Sequence, residues 1–382
     1  MLAHLESRTW EAHVQGRIRK RLKGLLGRGV FHGSDRRAEG DDTPEQMRVS
    51  AEEVDLVYDR LLGRPPEFDS GIHGQTPLQF CLEVALSEER RALMRKEFRE
   101  ELAAANGYHV SRTVNGHMVS RAGDHVIGRA LVDGGAFEEG DIAIALQAVA
   151  KRQGNFRLGT FLDVGANIGT HGLRALDHGF SRVVSVEPDA TNFRLLRINQ
   201  ILNGCDGACI NLHAAASDHD GEGLLELSAD NFGDHRVRTA AQGTGAETFG
   251  ESLRNLETTR LARIDTLLRD AGISASDIGL VWMDTQGHEG HALSGAASLR
   301  SARVPIVAEF WPYGLHRSGG YRKFRAFLSQ GVQIQALRKA GNSGDGSFLG
   351  LEDLDRFYAE THAAETPDLA LHMDLLILFD GA

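Results

Sequence analysis

The sequence predicts an α/β fold in which a mostly parallel sheet carries helices on both faces and follows a small helical domain. From Thr160 onward, short apolar runs such as "TFLDVGA" and "RVVSVEP" alternate with helical stretches such as "ATNFRLLRINQILNG". Repeated βα units of this kind build a parallel sheet that helices cover on both sides. Upstream, the apolar residues of "VDLVYDRLL" recur at helical spacing instead.

The composition favours a cytoplasmic protein that does not bind nucleic acid. Of the 382 residues 41% are hydrophobic, and the formal net charge is −11. A general nucleic-acid binder would carry a basic face. The three cysteines, Cys81, Cys205 and Cys209, are too few for a disulfide framework and favour a reducing compartment. The sequence shows neither an apolar run of about 18 residues nor a secretory signal.

Three segments are predicted along the chain. Residues 1–44 form a basic tail and a polar linker, and the amphipathic stretch "GRIRKRLKGLLGRG" at residues 16–29 could contact an anionic membrane surface or remain a solvated tail. Residues 45–105 form the helical domain, which "GRPPEFDSG" interrupts. Its Tyr58 and "LLGR" resemble a small domain found with bacterial surface-glycan proteins. Residues 106–382 form the α/β domain.

Within the α/β domain the elements follow in a defined order. A hairpin is expected within residues 108–133, because Asn115-Gly116 is a strong turn dipeptide. Residues 160–220 hold the first βα units. A hairpin and loop follow over 221–257, and the remaining strands are "IGLVWMDTQG", "VPIVAEF" and "HMDLLILF".

A glycine-rich turn follows the first of these strands. The stretch "FLDVGANIG" has neither the spacing G-x-G-x-x-G nor a Gly-Lys-Ser/Thr, so it is not expected to hold a pyrophosphate. Glu187 ends the next strand, where a carboxylate can accept both hydroxyls of a ribose. A nucleoside without phosphates fits the combination of this glycine-rich turn and Glu187, and S-adenosylmethionine is such a ligand. Its ammonium group could contact Asp163.

Residues 109–310 resemble the FkbM family of S-adenosylmethionine-dependent methyltransferases. The blocks that carry the resemblance are "FLDVGANIG", "VVSVEPDATNFRLLRINQILNG", "HAAASDHDG", "RIDTLL", "VWMDTQGHEGHALSGA" and "IVAEF". The resemblance implies a Rossmann-like class I methyltransferase fold and O-methylation of a sugar, glycan or hydroxylated metabolite. It also implies the cofactor-binding residues, which are Asp163, Gly165, Asn167, Gly169, Glu187 and the block from Ala215 to Asp218. Many members carry an acidic residue where this chain has Gln286.

Methyl transfer to a hydroxyl requires a group that positions the oxygen and receives its proton. Three residues at or just after strand ends are candidates, and Asp284 is favoured over His288 and Glu309. Glu289 is better explained as a cap of the helix that begins there. An alternative is that Asp284 and another carboxylate bind Mg²⁺, which would acidify a sugar diol.

Other functions are less consistent with the sequence. The motifs Asn/Asp-Pro-Pro-aromatic and Pro-Cys of nucleic-acid methyltransferases are missing after the strand "LVWMD". A zinc site through "CDGACINLH" is disfavoured, because Cys209 and His213 share a predicted strand, and no protein-bound structural metal is predicted. The remaining alternative is a non-catalytic, methyltransferase-like binding protein that works through its helical domain. The oligomeric state and the acceptor are not encoded in any motif.

Overall fold

The computed structural model describes residues 107–114, 116–153, 158–239, 248–339, 342–343, 346–362 and 370–379. All of them belong to one of two compact units of the chain, Leu102–Ala382. The predicted tail and linker at 1–44, with the stretch 16–29, and the predicted helical domain at 45–105 lie outside the described residues. They remain predictions.

Strands and helices alternate through most of the described chain. The strands are β1 Tyr108–Thr113, β2 Gly116–Arg121, β3 Thr160–Val164, β4 Arg182–Glu187, β5 Cys209–His213, β6 Ala215–Ala216, β7 Gly221–Leu227, β8 Arg236–Arg238, β9 Asn255–Ala262, β10 Ile278–Met283, β11 Ile306–Phe310, β12 Val332–Lys339, β13 Asn342–Ser343, β14 Phe348–Leu349 and β15 Met373–Phe379. The helices are α1 Ile127–Asp133, α2 Asp141–Gln153, α3 Thr170–Asp177, α4 Ala190–Leu202, α5 Ile264–Ala271, α6 Glu289–Ser294, α7 Ala297–Ser301, α8 Pro312–Ser318, α9 Tyr321–Leu328 and α10 Leu351–Thr361.

The central sheet is doubly wound. Its strand order is β13-β12-β15-β11-β10-β3-β4-β5, and β14 pairs with β12. The strands from β11 to β5 are parallel, whereas β15 runs antiparallel to both β11 and β12. The chain leaves β3 in one direction and later returns to β10 on its other side, so the strand order reverses between them. Ligands of such sheets bind at this switch point, outside the carboxyl ends of the strands.

Helices cover both faces of the sheet, which confirms the predicted Rossmann-like α/β architecture. On β3, Leu162 and Val164 belong to one apolar cluster, with residues of α5, α6, α9 and α10. Phe161 belongs to a second cluster on the opposite face, with residues of α2 and α3. Strands that are buried on both faces have nearly continuous apolar sequences, as "TFLDV" and "RVVSVE" do.

A second, four-stranded sheet has the order β6-β9-β7-β8. It is tied to α8 by a buried ionic cluster around Arg236, whose side chain is 3% exposed. Arg236 donates to Asp234 at 2.7 Å and to Glu251 at 2.8 Å, and the hydroxyl of Tyr313 donates to Glu251 at 2.7 Å. These bonds fix the small sheet against the segment that follows β11.

Two predicted segments differ in detail from the structure. The hairpin is confirmed, with Thr113 opposite Gly116, but it ends at Arg121, and residues 127–133 form α1. The segment 221–257, expected as a hairpin and loop, contributes β7, β8 and the start of β9 to a sheet. In the part of the chain that is described, no helix has both the length and the apolar composition needed to cross a bilayer.

Candidate active site

A cavity that opens to solvent lies at the switch point of the sheet. Loops that follow β3, β4, β5 and β10 form most of its wall, and the small sheet with the preceding loop forms the rest. The lining residues are Gly165, Asn167, Val186, Glu187, Pro188, Asn192, Ala214, Ala215, Ala216, Leu225, Phe232, Gly233, His235, Val237, Asp284, Thr285, Gln286 and His288.

The loop after β3 requires glycine where it meets the loop after β10. Gly165 has φ of +87°, and a Cβ built there would lie 1.7 Å from the backbone oxygen of Asp284. Asn167 has φ of +51°, an uncommon conformation for a residue with a side chain. Its side-chain oxygen accepts from the amide of Ile168 at 2.7 Å, and its side-chain nitrogen donates to the carbonyl of Phe232 at 3.2 Å. Local hydrogen bonds of this kind stabilise the left-handed conformation.

Glu187 lies at the end of β4 and is joined to the glycine loop. Its Oε2 accepts from the amide of Asn167 at 2.8 Å, and its Oε1 accepts from the amide of Asp189 at 2.8 Å. The side chain is 4% exposed, and burial raises the pKa of Glu187 to about 8 against the opposing effect of these bonds. Each carboxylate oxygen keeps a lone pair for a further donor.

Two buried histidines face the cavity as neutral rings. Nδ1 of His235 accepts from the amide of Ser228 at 3.0 Å, so the ring proton belongs on Nε2. Burial lowers the pKa of His235 to about 4 and that of His288 to about 3. His288 contacts the hydroxyl of Ser217 through Nε2 at 3.1 Å and stacks on His291 at 4.4 Å.

The loop after β10 presents Asp284 to the cavity. The side-chain amide of Gln286 donates to Oδ1 of Asp284 at 2.7 Å, while Gln286 itself adopts a left-handed backbone with φ of +54°. Burial raises the pKa of Asp284, and the bond from Gln286 opposes that shift. Two strained residues with side chains, Asn167 and Gln286, therefore lie on the same cavity wall, as is common at functional sites.

Glu289, the first residue of α6, accepts several hydrogen bonds from this loop. Its Oε1 accepts from the amide of Thr285 at 2.8 Å, from the hydroxyl of Thr285 at 2.9 Å and from the amide of Gly287 at 3.2 Å. The expectation that Glu289 caps the helix is wrong, because these bonds go to loop residues before α6, and the start of α6 has no side-chain capping bond. Burial, and next the charge of Asp284, raise the pKa of Glu289 to about 7.

Three carboxylates meet behind the cavity wall. Asp284, Glu289 and Glu309 can each offer an oxygen within 4.8 Å of the others, which makes them the one potential metal-ligand group found among the described residues. Burial raises the pKa of Glu309 well above its usual value, and the charges of Asp284 and Glu289 add to the shift. The sequence had indicated Asp284 and Glu309 as separate candidates, and the pairing of parallel β10 and β11 brings them together.

In a comparison with known protein families, residues 163–329 match the family model described as the methyltransferase FkbM domain. This segment is similar to FkbM methyltransferase domains. The match supports a methyltransferase that uses S-adenosylmethionine.

Comparison with solved structures finds similar chains, among them the two that follow. The SAM-dependent methyltransferase of Agrobacterium tumefaciens is 13% identical, covers 72% of this chain and 70% of its own length, and has a TM-score of 0.34. TYW2 of P. horikoshii, solved in complex with MeSAdo, is 11% identical, covers 72% of each chain and has a TM-score of 0.33. No curated protein matches the sequence.

The structure brings six of the predicted site residues to one cavity. These are Gly165, Asn167, Glu187, Ala215, Asp284 and His288. The sequence predicted that residues at the ends of neighbouring parallel strands would lie close together, and these six do. Their roles in binding or catalysis remain predictions.

Four other predicted site residues lie outside the cavity lining. Asp163 is fully buried, with Oδ2 3.4 Å from the Cβ that Gly172 of α3 would carry, and burial raises its pKa to about 6. Gly169 caps the start of α3. Glu309 lies in the acidic group described above. Strand alternation directs the side chain of Asp163 toward α3, and Gly169 lies where the chain enters that helix.

Asp218 belongs to a separate polar cluster. Its carboxylate contacts Lys323, His291 at 3.2 Å and His219 at 2.7 Å. Burial raises the pKa of Asp218, but the hydrogen bonds from these three side chains lower it further, to below its usual range. Of the block from Ala215 to Asp218, Ala215 and Ala216 line the cavity and Asp218 does not, and the adenine contact implied for the block remains a prediction.

Sequence reasoning missed the contribution of the small sheet. Phe232, Gly233, His235 and Val237 line the cavity although no motif singled them out. The sequence predicted only a hairpin and loop there and assigned no site residue to the segment. His235 stands between Asp234 and Arg236, so no local pattern of apolar residues marks it.

Proposed function

We propose that this protein transfers the methyl group of S-adenosylmethionine to a hydroxyl oxygen of a sugar, glycan or hydroxylated metabolite. The observation that carries the proposal is the buried carboxylate of Glu187, which lines the cavity and is bonded to the backbone of the glycine loop. The match to the FkbM domain model supplies the expectation of methyl transfer.

The residues present fit the cofactor. Glu187 retains acceptor capacity for the two ribose hydroxyls, and charge-assisted bonds of that type are among the stronger polar contacts. The absence of a side chain at Gly165 leaves the loop backbone close to the carboxyl ends of β3 and β10. Ala215 offers a small apolar wall for the adenine. When bound, S-adenosylmethionine supplies a methyl group activated by the positively charged sulfur.

The acceptor side of the reaction is assigned to the loop after β10. Asp284 lines the same cavity as Glu187, and it can orient the acceptor hydroxyl and receive its proton. His288 is the second candidate, but its Nε2 is already engaged with Ser217. Glu309 lies behind Asp284 and would act on it indirectly. Mg²⁺ is the second cofactor that the sequence left open; bound near Asp284, it would lower the pKa of a hydroxyl.

A neutral hydroxylated acceptor suits the charge of the chain. The net charge is −11, and the polar groups that face the cavity are carboxylates, amides and neutral histidines. Such a surface gives no electrostatic attraction to a nucleic-acid backbone. We therefore assign a small-molecule or glycan acceptor and no nucleic-acid partner.

The test has two arms on the full-length protein. Isothermal titration with S-adenosylmethionine is expected to show one binding event per chain. Extracted cell-envelope sugars and lipids, incubated with and without the protein, are expected to yield a product heavier by one CH₂ unit. Binding without turnover on any extract would favour the non-catalytic alternative, and the absence of cofactor binding would contradict the proposal.

A further inference from the structure

The acidic group Asp284, Glu289 and Glu309 has more negative charge than its surroundings compensate. The three side chains can bring an oxygen each within 4.8 Å of the others. Among the described residues, none of them forms an ion pair with a lysine or an arginine. Like charges this close in a low-dielectric environment repel strongly, so the arrangement needs a proton or a cation to be stable.

Unused oxygens within the group provide a second, independent observation. Glu289 is 0% exposed, and its three hydrogen bonds all go to Oε1. Its Oε2, like Oε2 of Glu309, is buried without a hydrogen-bond partner in the described part of the chain. Buried carboxylate oxygens are normally hydrogen-bonded, so two orphaned acceptors in one group indicate a missing positive ligand.

The bonds to the loop do not explain Glu289 fully. They need only one acceptor oxygen, and Oε1 already supplies it. A glutamine would supply the same acceptor without the charge. The second oxygen and the negative charge therefore call for another role.

We propose that Asp284, Glu289 and Glu309 bind a divalent cation of the oxygen-preferring class, such as Mg²⁺ or Mn²⁺. A cation equidistant from three oxygens at the stated separation would lie about 2.8 Å or less from each, and small side-chain rotations reach the roughly 2.0–2.6 Å of such ions. Because Asp284 lines the cavity, the proposed cation site adjoins it.

The further ligand of the cation follows from the proposed function, on which this part of the inference rests. An acceptor with two neighbouring hydroxyls can occupy two coordination positions at once, which holds one hydroxyl oxygen in place near Asp284. The cation site itself depends only on the three carboxylates and can be tested without cofactor or acceptor.

The test uses full-length protein that has been treated with a chelator and then separated from it. This protein is titrated with MnCl₂ alone. One Mn²⁺ is expected to bind per chain, and Glu309→Gln is expected to weaken that binding at least tenfold. Glu309→Gln keeps the size of the side chain and removes one of three like charges, so its unfolding temperature without metal should be no lower than that of the wild type. Added Mn²⁺ should raise the unfolding temperature of the wild type and not that of the variant.

Asp355→Asn is the matched control, since Asp355 is a carboxylate paired with Arg325 at the surface. It should bind Mn²⁺ as the wild type does. The inference is overturned if the wild type binds no Mn²⁺ at millimolar concentration, or if Glu309→Gln binds it equally well. Methyl transfer that survives chelation would leave the proposed function intact and remove the cation from it. Mn²⁺ binding without any S-adenosylmethionine binding would support the cation site and contradict the proposed function.

Discussion

The backbone amide of Asn167 donates a hydrogen bond of 2.8 Å to Oε2 of Glu187. This bond joins the loop after β3 to the carboxylate that ends β4, so the two predicted halves of the cofactor site form one unit before any ligand binds. A preorganised acceptor costs little reorganisation on binding. The first two predictions follow from this relationship.

Replacing Glu187 should remove cofactor binding more than it removes stability. Glu187→Ala deletes two charge-assisted bonds to the ribose, and bonds to charged groups contribute about 1.5–3 kcal/mol each, so S-adenosylmethionine should bind at least tenfold more weakly by isothermal titration. Glu222→Ala, an exposed glutamate on β7, serves as the control and should bind normally. Wild-type affinity in a folded Glu187→Ala protein would refute the ribose assignment.

Cofactor affinity should also depend on pH through Glu187. Burial raises the pKa of Glu187 to about 8, so the group is largely protonated at pH 6 and ionises as the pH rises. The ionised form is the better acceptor, and affinity should therefore increase several-fold between about pH 6 and about pH 9. Methylthioadenosine is a suitable ligand, because it has the ribose and adenine but no amino-acid group that titrates in this range. A flat profile for the wild type, or the same slope in Glu187→Gln, would contradict this assignment.

Gly165→Ala should disrupt the junction between the loops after β3 and β10. Its Cβ would lie 1.7 Å from the backbone oxygen of Asp284, and φ is +87°. Gly204→Ala is the control for backbone strain alone, since Gly204 has φ of +66° and nothing within 4 Å of a built Cβ. A left-handed alanine costs about 1–2 kcal/mol, so denaturant unfolding should show a clearly larger loss for Gly165→Ala. Equal losses would mean that the loops do not need their close contact.

Asp284→Asn should separate binding from turnover. The substitution keeps the shape of the side chain and an oxygen that can accept from Gln286. S-adenosylmethionine affinity should stay within about twofold, while turnover should fall by about 100-fold or more, as expected for loss of a group that handles the acceptor proton or its ligand. Full activity in this variant would exclude Asp284 as base or essential ligand.

The ionic cluster around Arg236 should be a determinant of stability. Arg236→Ala leaves Asp234 and Glu251 buried without their shared partner, and breaking a buried pair on one side costs about 3–5 kcal/mol. Arg325→Ala breaks a surface pair with Asp355 and should change the free energy of unfolding far less. Similar losses in the two variants, measured by urea unfolding, would show that burial does not govern the Arg236 cluster.

The sequence by itself determined the elements of the fold and the centre of the site. Alternating apolar runs and helical stretches predicted β3, α3, β4, α4, β10, β11 and β15, because these patterns arise from local periodicity and burial. Since the carboxyl ends of parallel strands share one edge of a sheet, Gly165, Glu187 and Asp284 were expected to meet, and they do.

Only the tertiary structure decided which of the other polar residues reach the cavity. Asp163 points to the face beneath α3, because successive side chains of a strand alternate, and Asp218 is drawn into a cluster with Lys323, a residue more than a hundred positions away. The meeting of Glu289 with Glu309, and the entry of His235 into the cavity wall, likewise depend on strand order and on the packing of the small sheet. Contacts of this kind join residues that are distant in sequence, and no local pattern encodes them.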